Sequence, residues 1–343
     1  MDESGIEREM EDWEIGEMSP VIEVSQVNKV FGQQVALKDI NLSVQGGEIF
    51  CLLGPSGSGK TTLIRLLNGV YFPTQGRVSV FGKEPARFSR QEREQIGYMP
   101  QMFVLYPNLS VAENLNFVAS IYGLSWHDRR QRLPRLLELV KLSEHQRALA
   151  GNISGGMKRR LELACALLHE PTLVYMDEPT AGIDPILRAA LWEEFRSLRD
   201  RERIGPGGKP LGRRTIFVTT QYVNEADVCD TVAIVAKGEL VALGTPAELR
   251  ARALGGEAID IIADQMTREH KTILEAFPWV RSTESHGFDH LRIVVDDAQT
   301  RLPLIVQTLY QQKLDLDSVD IVDLKFDDVF VRLIEQHEGK KQG

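Results

Sequence analysis

Cysteine is scarce in this chain. Cys51, Cys165 and Cys229 are the three in 343 residues, far apart and each among apolar neighbours. No spacing links them into a zinc or redox pair, so buried free thiols in a reducing compartment are expected. No run of 18 uninterrupted apolar residues occurs, so no lipid-spanning helix is expected. No basic-then-apolar secretion signal opens the chain, and no internal repeat is found. A basic stripe is also missing. The formal net charge is −9, and residues 1–17 hold eight acids against Arg8 alone, which is −7 of it. The body is therefore near neutral and offers nothing suited to nucleic acid. Residues 1–20 read as an acidic, disordered leader, with a docking role as the alternative.

What is present is an ordinary globular composition, 43% hydrophobic and 26% charged. Folded sequence is expected from Val21. Val21-Ile22-Glu23-Val24 and Ile40-Asn41-Leu42-Ser43-Val44 alternate as strands do. Thr172 to Met176 and Thr215 to Thr219 are continuous apolar runs of the kind found in strands buried on both faces. Residues from about 103 to 170 read as largely helical, with Leu133, Leu136, Leu137 and Val140 on one face. Residues 204–212 read as a surface loop. From 255 onward, strands and helices alternate again in a small α+β accessory domain, for which a ferredoxin-like arrangement is one option.

The stretch Gly54-Pro55-Ser56-Gly57-Ser58-Gly59-Lys60-Thr61-Thr62 fits the phosphate-loop pattern. An apolar strand-length segment precedes it, and Leu63, Leu66, Leu67 and Val70 follow at helical spacing. Such a strand, turn and helix start aim backbone N–H groups at an anion. Lys60 then reaches the outer phosphates of a nucleotide, and the Thr61 hydroxyl ligates Mg²⁺. A second signal is Leu173-Val174-Tyr175-Met176-Asp177-Glu178-Pro179. An apolar strand ends there in two carboxylates, at the edge where α/β sheets bind ligands. Asp177 is placed to hold hydrated Mg²⁺, and Glu178 to orient or deprotonate water. A third is Asn152-Ile153-Ser154-Gly155-Gly156-Met157-Lys158-Arg159-Arg160, opening a helix. Ser154 can cap it, and the glycines let a phosphate approach.

Taken in chain order, the motifs resemble those of the ATP-binding subunits of ABC transporters, across roughly residues 21–250. Gly54 to Thr62 resembles Walker A, Ser154-Gly155-Gly156 the ABC signature, and Val174 to Glu178 Walker B. Gln101 resembles the Q-loop glutamine that touches Mg²⁺, and Asp184 lies in a segment resembling the D-loop. Phe31 sits where the family stacks an aromatic on adenine; core packing is the other reading. The wording of Ser154 to Leu161, Leu105 to Leu115 and Leu324 to Phe330 is similar to exporter ATPases of the daunorubicin type. One departure stands out: Gln221 occupies the switch position where histidine is usual, and a glutamine donates a hydrogen bond but carries no proton at neutral pH.

The resemblance implies an α/β fold: a P-loop ABC core with an antiparallel β subdomain, a helical subdomain (about 103–170) and the C-terminal α+β domain, 255–343. It implies ATP and Mg²⁺ as cofactors and a head-to-tail dimer with a second ATP-binding subunit. It also implies an integral-membrane permease at the cytoplasmic face of the cell membrane, and no nucleic acid. Glu178 and Gln221 are the expected catalytic pair. Tyr106 to Leu115 is the expected surface toward the permease. The alternatives are an importer ATPase and a soluble ABC ATPase without a transport role.

Overall fold

The computed structural model describes residues 20–203, 212–264, 266–322 and 325–342. The acidic leader up to residue 19 and the loop 204–211 lie outside the described residues. The chain divides into two units. The first runs to Gln221 and takes in Lys237–Leu240; the second comprises Tyr222–Ala236 and the chain from Val241 onward.

The first unit opens with β1 (Ile22–Phe31) and β2 (Gln34–Val44), followed by β3 (Ile49–Leu53), α1 (Lys60–Leu67) and β4 (Gln75–Val80). Strands β2-β1-β4 form a three-stranded antiparallel sheet. Its register slips between Val24 and Val27, where Gln26 adopts φ 50°. The slip returns Val27 to the buried side after Ile22 and Val24. Next come α2 (Arg90–Glu94), β5 (Ile96–Met99), α3 (Val111–Ile121), α4 (Trp126–Leu139), α5 (Gly155–Leu167), β6 (Leu173–Asp177), α6 (Pro185–Asp200) and β7 (Thr215–Thr220). Strands β5-β6-β7-β3 lie side by side, and each pairing is parallel. Every residue of β3, β6 and β7 is buried, as expected where both faces of a parallel sheet are covered.

The second unit contains β8 (Thr231–Ala236), most of β9 (Glu239–Gly244), α7 (Pro246–Leu254), β10 (Glu257–Ala263), α8 (Arg268–Glu275), β11 (Val280–Ser285), β12 (His290–Val295), α9 (Ala298–Gln311), β13 (Leu316–Val322) and α10 (Phe326–Gln342). From β10 to β13 the order is βαββαβ, and the sheet β11-β12-β10-β13 is antiparallel throughout. That is the ferredoxin-like arrangement. Its core holds Ile259, Ile261, Leu274, Leu291, Ile293, Ile305 and Leu309, all fully buried. Each such side chain contributes about 2 kcal/mol of hydrophobic stabilisation.

One difference among helix starts bears on function. Every helix from α2 to α9 begins at a side chain that caps it: Ser89, Ser110, Ser125, Ser154, Asp184, Thr245, Thr267 and Asp297. Helix α1 begins at Gly59 and has no side-chain cap. Its first N–H groups are left for another acceptor.

Candidate functional site

Register gathers the site. Phe50 stacks on Phe217 at 5.1 Å, and Tyr175 meets Phe217 edge-on at 5.8 Å. These aromatics are register partners on β3, β7 and β6, and two residues further on Leu52, Thr219 and Asp177 are partners in turn. The carboxyl edge of the sheet thus holds Asp177, Glu178 and Thr219 beside the loop that leaves β3.

The loop is tied to that edge. Gly54 N donates to Thr220 O at 3.1 Å. Gly59 has φ 102°, and a Cβ there would lie 2.6 Å from Leu37 Cδ2 and 2.7 Å from Ala36 O, so only glycine fits. Lys60 is 4% exposed. Its Nζ donates to Gly54 O at 2.7 Å and Pro55 O at 3.0 Å, and lies 3.4 Å from Glu178 Oε1. Pro55, Ser56 and Gly57 are exposed; Thr61 and Thr62 are half-buried.

Thr219 links the two carboxylates. Its hydroxyl donates to Asp177 Oδ1 at 2.6 Å and accepts from Glu178 N at 3.0 Å. Thr61 Oγ1 donates to the same Asp177 oxygen at 3.3 Å. Glu178 has φ 48°, left-handed for a residue with a side chain, and its N–H also bonds Thr219 O at 3.0 Å. Strain of that kind concentrates at functional positions. Gln101 Nε2 donates to Glu178 Oε2 at 3.0 Å. Thr219 was legible only as a strand residue; a hydroxyl buried at the end of an apolar strand is the signal that marks it.

These residues fit a nucleotide with its metal. The uncapped start of α1 offers N–H donors, and the Ser58 hydroxyl is buried without a partner. Thr61, Asp177 and Gln101 bring the hard oxygens that Mg²⁺ takes. Among the described residues no group of three or more His, Cys, Asp and Glu could hold a metal alone. Such a metal therefore depends on phosphate oxygens as well, the usual pattern for Mg²⁺.

Other expected residues lie apart from this cluster. Ser154 caps α5 by accepting from Met157 N at 3.3 Å, and Ser154 and Gly155 are exposed. No hydrogen bond among the described residues joins Ser154, Gly155 or Gly156 to residues 54–62. Gly156 has a packing reason of its own: a Cβ there would sit 2.1 Å from Leu187 Cδ2. Asp184 caps α6, accepting from Leu187 N at 3.0 Å. Gln221 follows β7 directly and is exposed. Phe31 is 41% exposed, edge-on to Tyr71 at 5.2 Å with Lys29 Nζ 4.7 Å from its ring. It is therefore not a core residue.

The chain compares with known proteins as follows. The ABC transporter family model matches residues 37–181. "Nod factor export ATP-binding protein I" of Cupriavidus metallidurans is 35% identical over 271 residues, 79% of this chain and 85% of that protein. This chain belongs to the ABC transporter ATP-binding proteins. The "Probable multidrug ABC transporter ATP-binding protein YbhF" of Escherichia coli is 36% identical over 245 residues, 71% of this chain but only 40% of that protein. A solved "Dimeric structure of a post-hydrolysis state" of an ATP-binding cassette with ADP and Pi aligns at TM-score 0.56 and 25% identity. It covers 65% of this chain and 98% of that one. The ABC chain thus has the fold of an ATPase family.

Two sequence expectations, on Val70 and Cys165, need correction. Val70 is not on the α1 face, because α1 ends at Leu67 and Val70 is 63% exposed. Within the stretch expected to face a permease, Glu113 is exposed and Asn114 is buried. Glu113 closes a capping box with Ser110, and Asn114 holds the backbone of Tyr106, Leu109 and Ser110. Of the expected permease-facing stretch, Tyr106 is half-exposed and packs edge-on against Phe117 at 4.6 Å. Finally, Cys165 is only partly buried, although its surroundings push its thiol up to about 12 by desolvation. Among the described residues no helix is long and apolar enough to cross a membrane.

Proposed function

We propose that this ABC subunit binds and hydrolyses ATP in a head-to-tail dimer and so energises export through a separate membrane permease. The observation that carries this reading is a site present in halves. Lys60, Thr61, Asp177, Glu178 and Gln101 meet at one sheet edge, while the Ser154-Gly155-Gly156 turn, exposed at Ser154 and Gly155, bonds to none of the phosphate loop. A second subunit, identical or closely related, supplies its own such turn to complete the cage.

Within that cage Lys60 and the uncapped N–H groups of α1 bind the outer phosphates. Thr61, Asp177 and Gln101 hold Mg²⁺, which neutralises phosphate charge when bound. Glu178 orients the attacking water and accepts its proton. Gln221 donates a hydrogen bond to the terminal phosphate, and Phe31 covers the adenine. Asp184 stands beside the dimer face through its neighbour Leu187, which packs on Gly156. The subunit works at the cytoplasmic face of the membrane. The similarity to a Nod factor export ATP-binding protein favours export over import.

The test is the Glu178→Gln chain with ATP and Mg²⁺ on a sizing column. It is expected to elute as a dimer and to release phosphate at least about a hundredfold more slowly than the native chain. A monomer that still turns over ATP at the native rate would overturn the reading.

A further inference from the structure

We propose that Arg159 and Glu162 are positioning residues for ATP hydrolysis: they fasten segment 100–104 to α5, so the placement of α5 sets Gln101 and, through it, Glu178. The inference rests on Glu178 being the hydrolytic base, as proposed above.

The geometry is specific. Arg159 lies one turn into α5, just past the Ser154-Gly155-Gly156 turn, and is 3% exposed. One guanidinium nitrogen donates to Pro100 O at 2.9 Å and to Glu162 Oε2 at 3.0 Å. The other donates to Gln101 O. The guanidinium also lies 4.9 Å from the centre of the Phe103 ring. Glu162, buried one turn further on, accepts from Val104 N at 2.9 Å. Segment 100–106 has no helix or strand of its own. Two side chains of one helix thus hold three of its peptide groups: the carbonyls of Pro100 and Gln101 and the N–H of Val104. The chain of bonds then continues from Gln101 Nε2 to Glu178 Oε2 at 3.0 Å.

Stability does not account for the pair. Burial raises the Glu162 carboxyl above its usual range, although the Val104 N–H and Arg159 pull it down. A buried pair whose carboxylate remains reluctant to ionise gains little over an apolar replacement. What the pair provides is a fixed fork: a planar guanidinium meets two carbonyls and a carboxylate at once, which neither lysine nor an apolar side chain reproduces. A movement of α5, whose first residues stand in the proposed dimer face, then cannot leave Gln101 behind.

The test uses the full chain, with ATP and Mg²⁺, and reads kcat and KM separately. Arg159→Met is expected to lower kcat about tenfold and to leave the KM for ATP within about twofold, because it misplaces a group used in the chemical step. Arg159→Met alone strands a buried carboxylate, so the paired Arg159→Met/Glu162→Leu chain, apolar at both positions, is measured too and is expected to show the same loss with native melting behaviour. In a Gln101→Ala background, Arg159→Met is expected to lower kcat by less than about twofold, since the bond it serves is already gone. Native kcat in the folded paired variant would overturn the proposal, as would a further tenfold loss on top of Gln101→Ala. A Glu178→Gln chain that hydrolyses ATP at the native rate would instead remove the parent reading. If Glu178→Gln is inactive and the paired variant is fully active, only the brace is wrong.

Discussion

In the parallel sheet of the first unit, β3, β6 and β7 are buried along their whole length, and the chemistry-bearing groups stand at their carboxyl ends. In the antiparallel sheet of the second unit the charged groups run across the middle. Glu284, Arg292, Asp260 and Asp320 are successive register partners on β11, β12, β10 and β13. The second set closes on a central ion pair. Arg292 grips Asp260 through two bonds of 2.7 and 2.8 Å, and His290 Nε2 lies 3.1 Å from the same carboxylate. The first set is left partly open: Ser58 Oγ is buried without a partner, and α1 has no cap. Groups at strand ends can point past the sheet toward a ligand, whereas groups mid-strand can meet only their cross-strand neighbours. The strand-end cluster is open where a ligand would bind, and the mid-strand cluster closes on its central ion pair.

The sharpest way to break this contrast is to close or open the Thr219 bridge. Thr219→Val keeps the shape but removes the hydroxyl that joins Asp177 to the Glu178 N–H. The lost bond to a charged acceptor costs about 1–3 kcal/mol, so kcat is expected to fall roughly ten- to a hundredfold. Thr219→Ser should recover most of it. Steady-state phosphate release on the three chains decides the matter. Equal rates for Val and Ser would mean that the hydroxyl is packing only.

The same contrast explains what the sequence made legible. The phosphate loop and Asp177-Glu178 stand out because a parallel strand is an unbroken apolar run, and any polar residue ending it is conspicuous. The chain from about residue 255 onward was legible as alternating elements because its core faces are apolar. β11 was missed: Val280 is the one aliphatic residue in Val280–Ser285, so an edge strand with a polar face carries no pattern. β5, four residues with Gly97 inside, is too short to show one. The carbonyls of Pro100 and Gln101 that Arg159 holds, and the Asp177 and Glu178 groups that Thr219 joins, lie 41 to 59 residues away in the chain. No periodicity encodes such a distance; only the assembled sheet and helix reveal it.

A smaller effect tests burial without chemistry. His169 stacks on Tyr122 with ring centres 3.8 Å apart, and its Nε2 bonds Ile96 O at 2.9 Å. Burial pushes its pKa down from 6.5 to about 4, although the Ile96 carbonyl pulls it up. The unfolded chain therefore takes up the proton first. The stability contributed by neutral His169 is complete above about pH 6.5 and is lost as pH falls toward 4. The slope is at most one proton, about 1.4 kcal/mol per pH unit. His169→Phe keeps the stack and should flatten that part of the curve. Denaturant midpoints at pH 7 and pH 5 for both chains would show it, and parallel curves would count against this account.

The smallest expected effect on catalysis comes from the closed cluster. Arg292→Met removes the cation from the row Glu284–Arg292–Asp260–Asp320 and leaves three carboxylates in it, of which Asp260 and Asp320 stand directly opposite each other as like charges. The second unit is expected to lose about 2 kcal/mol, read as a lower melting temperature, while ATP hydrolysis at a temperature where both chains are folded stays unchanged. The pH dependence follows from Asp260. Burial would raise its carboxyl, but the hydrogen bonds and charge of Arg292, with His290, outweigh burial and hold it below 3.8. That stabilisation is present above about pH 3.8 and disappears as pH falls further, so the gap between native and Arg292→Met chains should narrow in acid. A gap that widens in acid would place the stabilising partner elsewhere than Asp260. A fall in ATP hydrolysis at neutral pH would mean that this closed cluster is not merely a brace.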